Sequence, residues 1–156
     1  MIKIELETGA EEKAKICADM LAALPAWFGD KETNLEYIED VRTRMMFVAR
    51  DPKGISGFLS LSKMTESTFD IHVLAVRPKL HRKGTGRALI DLAKEYAIGQ
   101  GAAFLTVKTL GPSMENADYA TTRAFYRAVG FAPLEENMEI WGDGVPCLIM
   151  CQALQV

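Results

Sequence analysis

The chain has 156 residues, 49% of them apolar and 25% charged, with a formal net charge of −3 from 18 basic and 21 acidic residues. This composition excludes a disordered chain and makes no electrostatic case for nucleic acid, and no apolar run reaches the roughly twenty residues that a bilayer span needs. The length fits a single domain over residues 1–156. Cys17, Cys147 and Cys151, with no apolar signal-peptide core near the start, read as reduced thiols in a cytoplasmic protein.

Ile2, Ile4 and Leu6 alternate with Lys3, Glu5 and Glu7, the period of a strand with one wet face. A helical period follows from Glu11 to about Leu24, carried by Ala14, Cys17, Ala18 and Leu21. Pro25 stops it, because its ring cannot continue a helix. A second helix is expected from about Asn34 to Arg42 on Leu35, Ile38 and Val41. Strands are expected at Met45–Arg50 and Ile55–Ser62, joined by the turn Asp51-Pro52-Lys53-Gly54, with a longer strand at Thr68–Val76. The second half alternates. A helix over Gly84–Ile98 ends at Gly99 and Gly101, and Phe104–Val107 is a buried strand. A helix over Ala120–Val129 closes at Gly130, Phe131 opens a strand, and Cys147–Met150 forms the last one. Hairpins first and helical crossovers later predict an α/β fold, a mixed sheet with helices on both faces.

The segment leaving the Thr68–Val76 strand carries the clearest chemistry. A short basic loop leads to Gly84 and Gly86, which open a helix. The first turn of a helix has backbone N–H groups without intrahelical acceptors, and the aligned peptide dipoles add positive potential there. Missing side chains at the glycines let an anion approach closely, and Arg82, Lys83 and Arg87 add mobile charge. The loop therefore suits a phosphate or pyrophosphate. It is not a P-loop, whose Gly-x-x-x-x-Gly-Lys-Ser/Thr pattern is absent, nor a dinucleotide fingerprint, which needs a glycine where Leu89 stands. The pattern Arg/Gln-x-x-Gly-x-Gly/Ala after a strand ending in Val-x-Pro does fit, at His81-Arg82-Lys83-Gly84-Thr85-Gly86 after Val76-Arg77-Pro78. Further on, Phe125-Tyr126-Arg127-Ala128-Val129-Gly130-Phe131 follows a Phe/Leu-Tyr-x-x-x-Gly-Phe pattern. In these two motifs, their order and their separation, the chain resembles the GNAT superfamily of acetyl-CoA-dependent N-acetyltransferases.

The resemblance implies a mostly antiparallel central sheet splayed at a bulge. It implies that the backbone of Leu74, Ala75 and Val76 pairs with the pantetheine arm of acetyl-CoA. The backbone amides of Arg82, Lys83, Gly84, Thr85, Gly86 and Arg87 are expected to cradle the pyrophosphate. His81 stands where the family has Arg or Gln. Tyr119 stands where the family often has an Asn that helps hold CoA, and Asn116 or Ser113 is the expected replacement. Tyr126 is implied as the general acid, a phenol near 10 facing a leaving thiolate whose parent thiol lies near 8.5. His72 resembles the base that some members carry on this strand, and imidazole near 6.5 suits the task. Asp70 and a solvent relay remain alternatives.

By the same resemblance the acceptor lies among Trp27, Phe28 and Tyr37, with Phe58 and Trp141 as further aromatic candidates. Asp30, Glu36, Glu39, Glu115 and Asp118 are carboxylates able to attract an amine. The expected reaction is direct acetyl transfer to the primary amine of a small molecule. A protein N-terminal or lysine acetyltransferase and a non-catalytic acyl-CoA-binding regulatory domain are the alternatives. Acetyl-CoA is the expected co-substrate. No metal is expected, since Cys147 and Cys151 lack the paired spacing of a zinc site. Neither nucleic acid nor membrane is expected as a partner, and a homodimer is a form the family often takes.

Overall fold

The alternating start of the chain forms β1 (Lys3–Glu7). It is followed by α1 (Ala10–Ala22), α2 (Lys31–Asp40), β2 (Met45–Asp51), β3 (Gly54–Lys63) and β4 (Thr68–Val76). Then come α3 (Thr85–Gly99), β5 (Phe104–Leu110), α4 (Ala117–Ala128), β6 (Ala132–Asn137) and β7 (Cys147–Ala153). The computed structural model describes residues 2–154. The strands hydrogen-bond in the order β1-β2-β3-β4-β5-β7-β6. β4 and β5 are parallel, whereas β1–β2, β2–β3, β5–β7 and β6–β7 are antiparallel. This is the mixed α/β sheet that the element order predicts. Among the described residues, no helix is long and apolar enough to cross a membrane.

The chain divides into two compact units. The first takes the residues up to Ser62 together with His72–Tyr96, the second Lys63–Ile71 and the residues from Ala97 on. In the first, Ile16, Cys17, Met20 and Leu21 of α1 pack with Met46 and Val48 of β2, Phe58 of β3, and Val73 and Ala75 of β4. Between Met46 and Val48, Phe47 turns the other way and meets Tyr96 of α3, ring centroids 6.1 Å apart. Successive strand side chains point to opposite faces, so α1 and α3 cover opposite faces of this part of the sheet. The β2–β3 register steps from Ala49↔Gly57 to Arg50↔Ile55, which leaves Ser56 as the extra residue of a bulge. The Ser56 carbonyl accepts the Arg77 N–H at 2.9 Å, and Arg77 Nε donates to the Ile55 carbonyl at 2.7 Å. The bulge therefore pins the chain at the point where it leaves β4.

In the second unit, β5 pairs with β7 along its whole length and with Thr68–Ile71 of β4. The helix α4 is held by buried Arg123, whose Nη1 donates to the Leu110 carbonyl at 2.7 Å, and by Tyr126, edge-on to Phe131 at 5.6 Å. Gly130 ends the helix at φ +109, a conformation that a side chain would strain.

Boundaries depart from the apolar periodicity where caps decide them. Asp30 starts α2 earlier than expected: its Oδ1 accepts from the Glu32 N–H at 3.2 Å and its Oδ2 from Thr33 Oγ1 at 2.7 Å. Likewise Asn116 Oδ1 accepts from the Tyr119 N–H at 3.1 Å, so α4 opens at Ala117 rather than Ala120. Leu35, expected on the packed face of α2, is 66% exposed; Ile38 packs against the core as expected, and Tyr37 joins it. Phe131 is buried ahead of β6, which opens at Ala132.

Replacing Asn116 with Ala removes the α4 cap and should cost about 1 kcal/mol in urea unfolding, whereas Asn116→Ser should stay close to the parent. Equal stability of the Ala variant would show that another group holds the start of α4.

Candidate functional site

The strand β4 leads into the phosphate-type loop. Its register with β5 runs from Thr68↔Phe104 to Ile71↔Val107, while β4 itself continues to Val76. Leu74, Ala75 and Val76 thus lie beyond the last of these register pairs. On the β3 side the backbones approach closely at Gly57. A Cβ added there would stand 2.7 Å from the Ala75 carbonyl oxygen and 3.2 Å from Val76 Cα, so only glycine fits without a shift of main chain.

After β4, Pro78–Leu80 makes one 3₁₀ turn. His81 Nε2 then donates to the Val76 carbonyl at 2.8 Å, folding the loop back on the end of the strand, and the ring sits edge-on to Trp27 at 5.4 Å. Arg82 (φ +65) and Gly84 (φ +86) both occupy the left-handed region, on either side of Lys83. The Lys83 N–H between them is taken by the Leu80 carbonyl at 3.2 Å, whereas such reversals turn neighbouring main-chain N–H groups toward one side, an arrangement suited to anions. α3 begins at Thr85, and the Ala88 N–H bonds to the Gly84 carbonyl at 3.0 Å. Thr85 is fully buried, yet its Oγ1 has no hydrogen-bond partner. The side chains of Arg82, Lys83 and Arg87 are exposed around it. Main-chain donors, a helix N-terminus, an unsatisfied buried hydroxyl and three exposed cations together fit a pyrophosphate.

His72 belongs to the same unit. Its Nδ1 shares a hydrogen bond with Ser60 Oγ at 3.0 Å, and its Nε2 lies 3.6 Å from Asp40 Oδ2. Tyr37 stands edge-on to its ring at 5.4 Å, and Phe28 stands edge-on to Tyr37 at 6.3 Å. Burial above all, then the positive charge of Arg44, pushes the His72 imidazole below its usual 6.5, while Asp40 pulls the other way. The ring is therefore neutral at neutral pH. Asp70, only two positions earlier, enters a separate network in the second unit. Its Oδ1 accepts from Thr106 Oγ1 at 2.6 Å and faces Lys108 Nζ at 3.6 Å, and burial raises its carboxyl above the ordinary range.

Tyr126 lies in the second unit, 6% exposed. Burial raises its phenol well above 10, reinforced by Tyr119 and Asp70, so it keeps its proton. The proposed replacements for the family's Asn have structural tasks: Asn116 Oδ1 caps α4, and Ser113 donates through both N–H and Oγ to the Glu136 carboxylate. A cleft of about 530 Å³ lies beside them, lined by Pro112, Ser113, Asn116 and Arg123 among others. Of the remaining candidates, Phe58 is wholly core, Asp30 is committed to its cap, and Glu39 pairs with Arg42 at 3.0 Å. Burial pushes the Cys17 thiol up to about 12, and raises Cys147 and Cys151 as well, which makes poor nucleophiles of all three.

The structure thus gathers Leu74, Ala75, Val76, residues 81–87, His72, Trp27, Phe28 and Tyr37 in one unit. Three residues that the motif reading passes over join them. Gly57 and Asp40 belong to no motif. Ser60 does carry a signal: a hydroxyl among Phe58, Leu59 and Leu61 is a buried polar group in search of a partner.

Residues 42–133 match the family model described as an acetyltransferase (GNAT) domain. Over 78 residues, half of this chain and 19% of the other, the sequence is 33% identical to an uncharacterized protein of Mycobacterium leprae (strain TN). The match thus spans less than a fifth of that relative. Solved structures with the same fold include two that cover almost the whole chain. One, from Desulfovibrio desulfuricans and assigned to the GNAT family, superposes with a TM-score of 0.81 at 18% identity, covering 99% of this chain and 100% of its own. The other, an aminoglycoside 6'-N-acetyltransferase complexed with coenzyme A, gives 0.73 at 14% identity, covering 97% and 98%.

Because the folded state depresses the His72 pKa, the unfolded chain takes up this proton first as pH falls. The contribution of His72 to stability is complete above the unfolded value of about 6.5 and is lost progressively below it, down to the folded pKa. The urea midpoint should therefore drop between about pH 7.5 and 5.5, and drop less in His72→Gln; parallel pH dependences would contradict the burial effect.

Proposed function

The chain belongs to the GNAT acetyltransferase family, and on that premise we propose that it moves an acetyl group from acetyl-CoA to the primary amine of a small molecule by direct attack in a ternary complex. The observation that carries this reading is the loop into α3, where Arg82 and Gly84 adopt left-handed backbone beside a helix N-terminus. The backbone from Arg82 to Arg87 holds the pyrophosphate, and the exposed cations of that loop draw it in. Leu74, Ala75 and Val76 offer their main chain to the pantetheine arm, and a strand N–H near Leu74 or Val76 polarises the thioester carbonyl.

A thioester is already activated toward amines, so no covalent enzyme intermediate is needed. The amine arrives protonated. Neutral His72 takes its proton and frees the lone pair for attack. Tyr126, kept protonated by burial, donates to the departing thiolate. Trp27, Phe28 and Tyr37 form the acceptor wall, with Tyr37 against the base and Trp27 against His81. The aminoglycoside acetyltransferase of similar fold, held with coenzyme A, favours a small amine over a protein as acceptor. Three free cysteines favour the reducing cytoplasm as the place of work.

Gly86→Glu sets bulk and negative charge in the cradle. Calorimetry should show at least about a tenfold loss of CoA affinity, worth roughly 1.4 kcal/mol. Unchanged affinity would remove the loop from the reading. A panel of primary amines, assayed by CoA release with mass spectrometry of the product, identifies the acceptor. With that acceptor, Tyr126→Phe should lower kcat about a hundredfold while leaving CoA affinity intact. Full activity in the variant would exclude Tyr126 as the acid.

A further inference from the structure

His72 is the buried member of a three-residue arrangement. Ser60, wholly buried, holds Nδ1, and Nε2 is shielded from solvent without a hydrogen-bond partner of its own. The Asp40 carboxylate at the end of α2 lies 3.6 Å from Nε2. That separation is too long for a hydrogen bond, yet it is an ion-pair distance once the ring is charged. The carboxylate is 47% exposed against 12% for the imidazole, so it stands on the outer side of the ring. Among the described residues no lysine or arginine is paired with Asp40. The neighbouring cation Arg42 is engaged by Glu39 and Glu11, and Arg44 Nε donates to Ser62 Oγ at 2.8 Å.

We propose that Asp40 is the positioning residue of the base. It receives the acceptor's ammonium group at the outer side of His72 and stabilises the imidazolium formed when His72 takes the proton. The inference rests on the reading of His72 as base. In the step itself an amine N–H bond breaks and an N–H bond forms at Nε2. The electron pair stays on the amine nitrogen, which attacks the thioester carbonyl. The new imidazolium then lies between Ser60 Oγ at Nδ1 and the Asp40 carboxylate at Nε2. Its surroundings are mixed in sign: Asp40 favours the charged ring, Arg44 and burial oppose it, and Tyr37 contributes an edge contact with no formal charge. Removing Asp40 therefore leaves the two opposing influences unbalanced.

The test uses the whole 156-residue chain and needs no ligand at first. The chain has only two histidines, so nitrogen-15 NMR resolves His72 with His81 as internal control. Asp40→Asn should lower the His72 midpoint by about half a pH unit and leave His81 unmoved. Asp40→Glu should restore most of the shift. An unmoved His72 midpoint overturns the inference outright. With the acceptor found by the amine panel, the acidic limb of the kcat/KM profile should move down by the same amount in Asp40→Asn. KM for the amine should also rise several-fold, while CoA affinity stays constant. A moved midpoint together with full activity in His72→Ala overturns the base reading instead. A His72-dependent rate whose limb and KM ignore Asp40 overturns the inference alone.

Discussion

The first N–H groups of α3 have no carbonyls within their own helix, and the chain that leads into them turns through left-handed backbone at Arg82 and Gly84. Left-handed backbone at Arg82, a residue with a side chain, costs about 1–2 kcal/mol and persists only where its flanks are held. They are held on the strand side: Arg77 is bonded through its N–H and Nε to the β3 bulge, and His81 is bonded to the Val76 carbonyl. Gly57 lets β3 come close enough to Ala75 and Val76 for that anchorage to form. Bulge, glycine contact and histidine clamp thus all hold the main chain that leads into α3. His81, the departure from the family motif, contributes by bracing the loop from within.

Desolvation sets the protonation states on which the proposed chemistry relies. Burial opposes whichever form carries charge, so it lowers an imidazole and raises a phenol or carboxyl. His72 is held neutral and able to accept a proton, and Tyr126 is held neutral with a proton to give. The same effect raises Asp70, but that carboxylate is spent on Thr106 and Lys108. Asp70 and His72, two positions apart on β4, therefore have different partners and different tasks.

The glycine-bearing loop and the Tyr126 motif were legible because each depends on backbone conformation at fixed spacing, which Gly84, Gly86 and Gly130 announce directly. The order of strands and helices was legible from periodicity. Helix starts were not, because Asp30 and Asn116 act through single side-chain caps that leave no mark on an apolar pattern. Asp40 and Ser60 were invisible as partners of His72, since three different elements bring them together and no spacing along the chain encodes that meeting. Gly57 looked like any strand glycine until the approach of Ala75 gave it a reason.

The proposed coenzyme contacts fall on the main chain of β4 and of the loop into α3. Amide chemical-shift mapping of the nitrogen-15 labelled protein, titrated with CoA, reads those contacts one residue at a time. The largest perturbations should fall on the amides from Arg82 to Arg87, with a second group at Leu74, Ala75 and Val76. Saturable shifts confined to other parts of the chain, with the mouth of α3 silent, would contradict it.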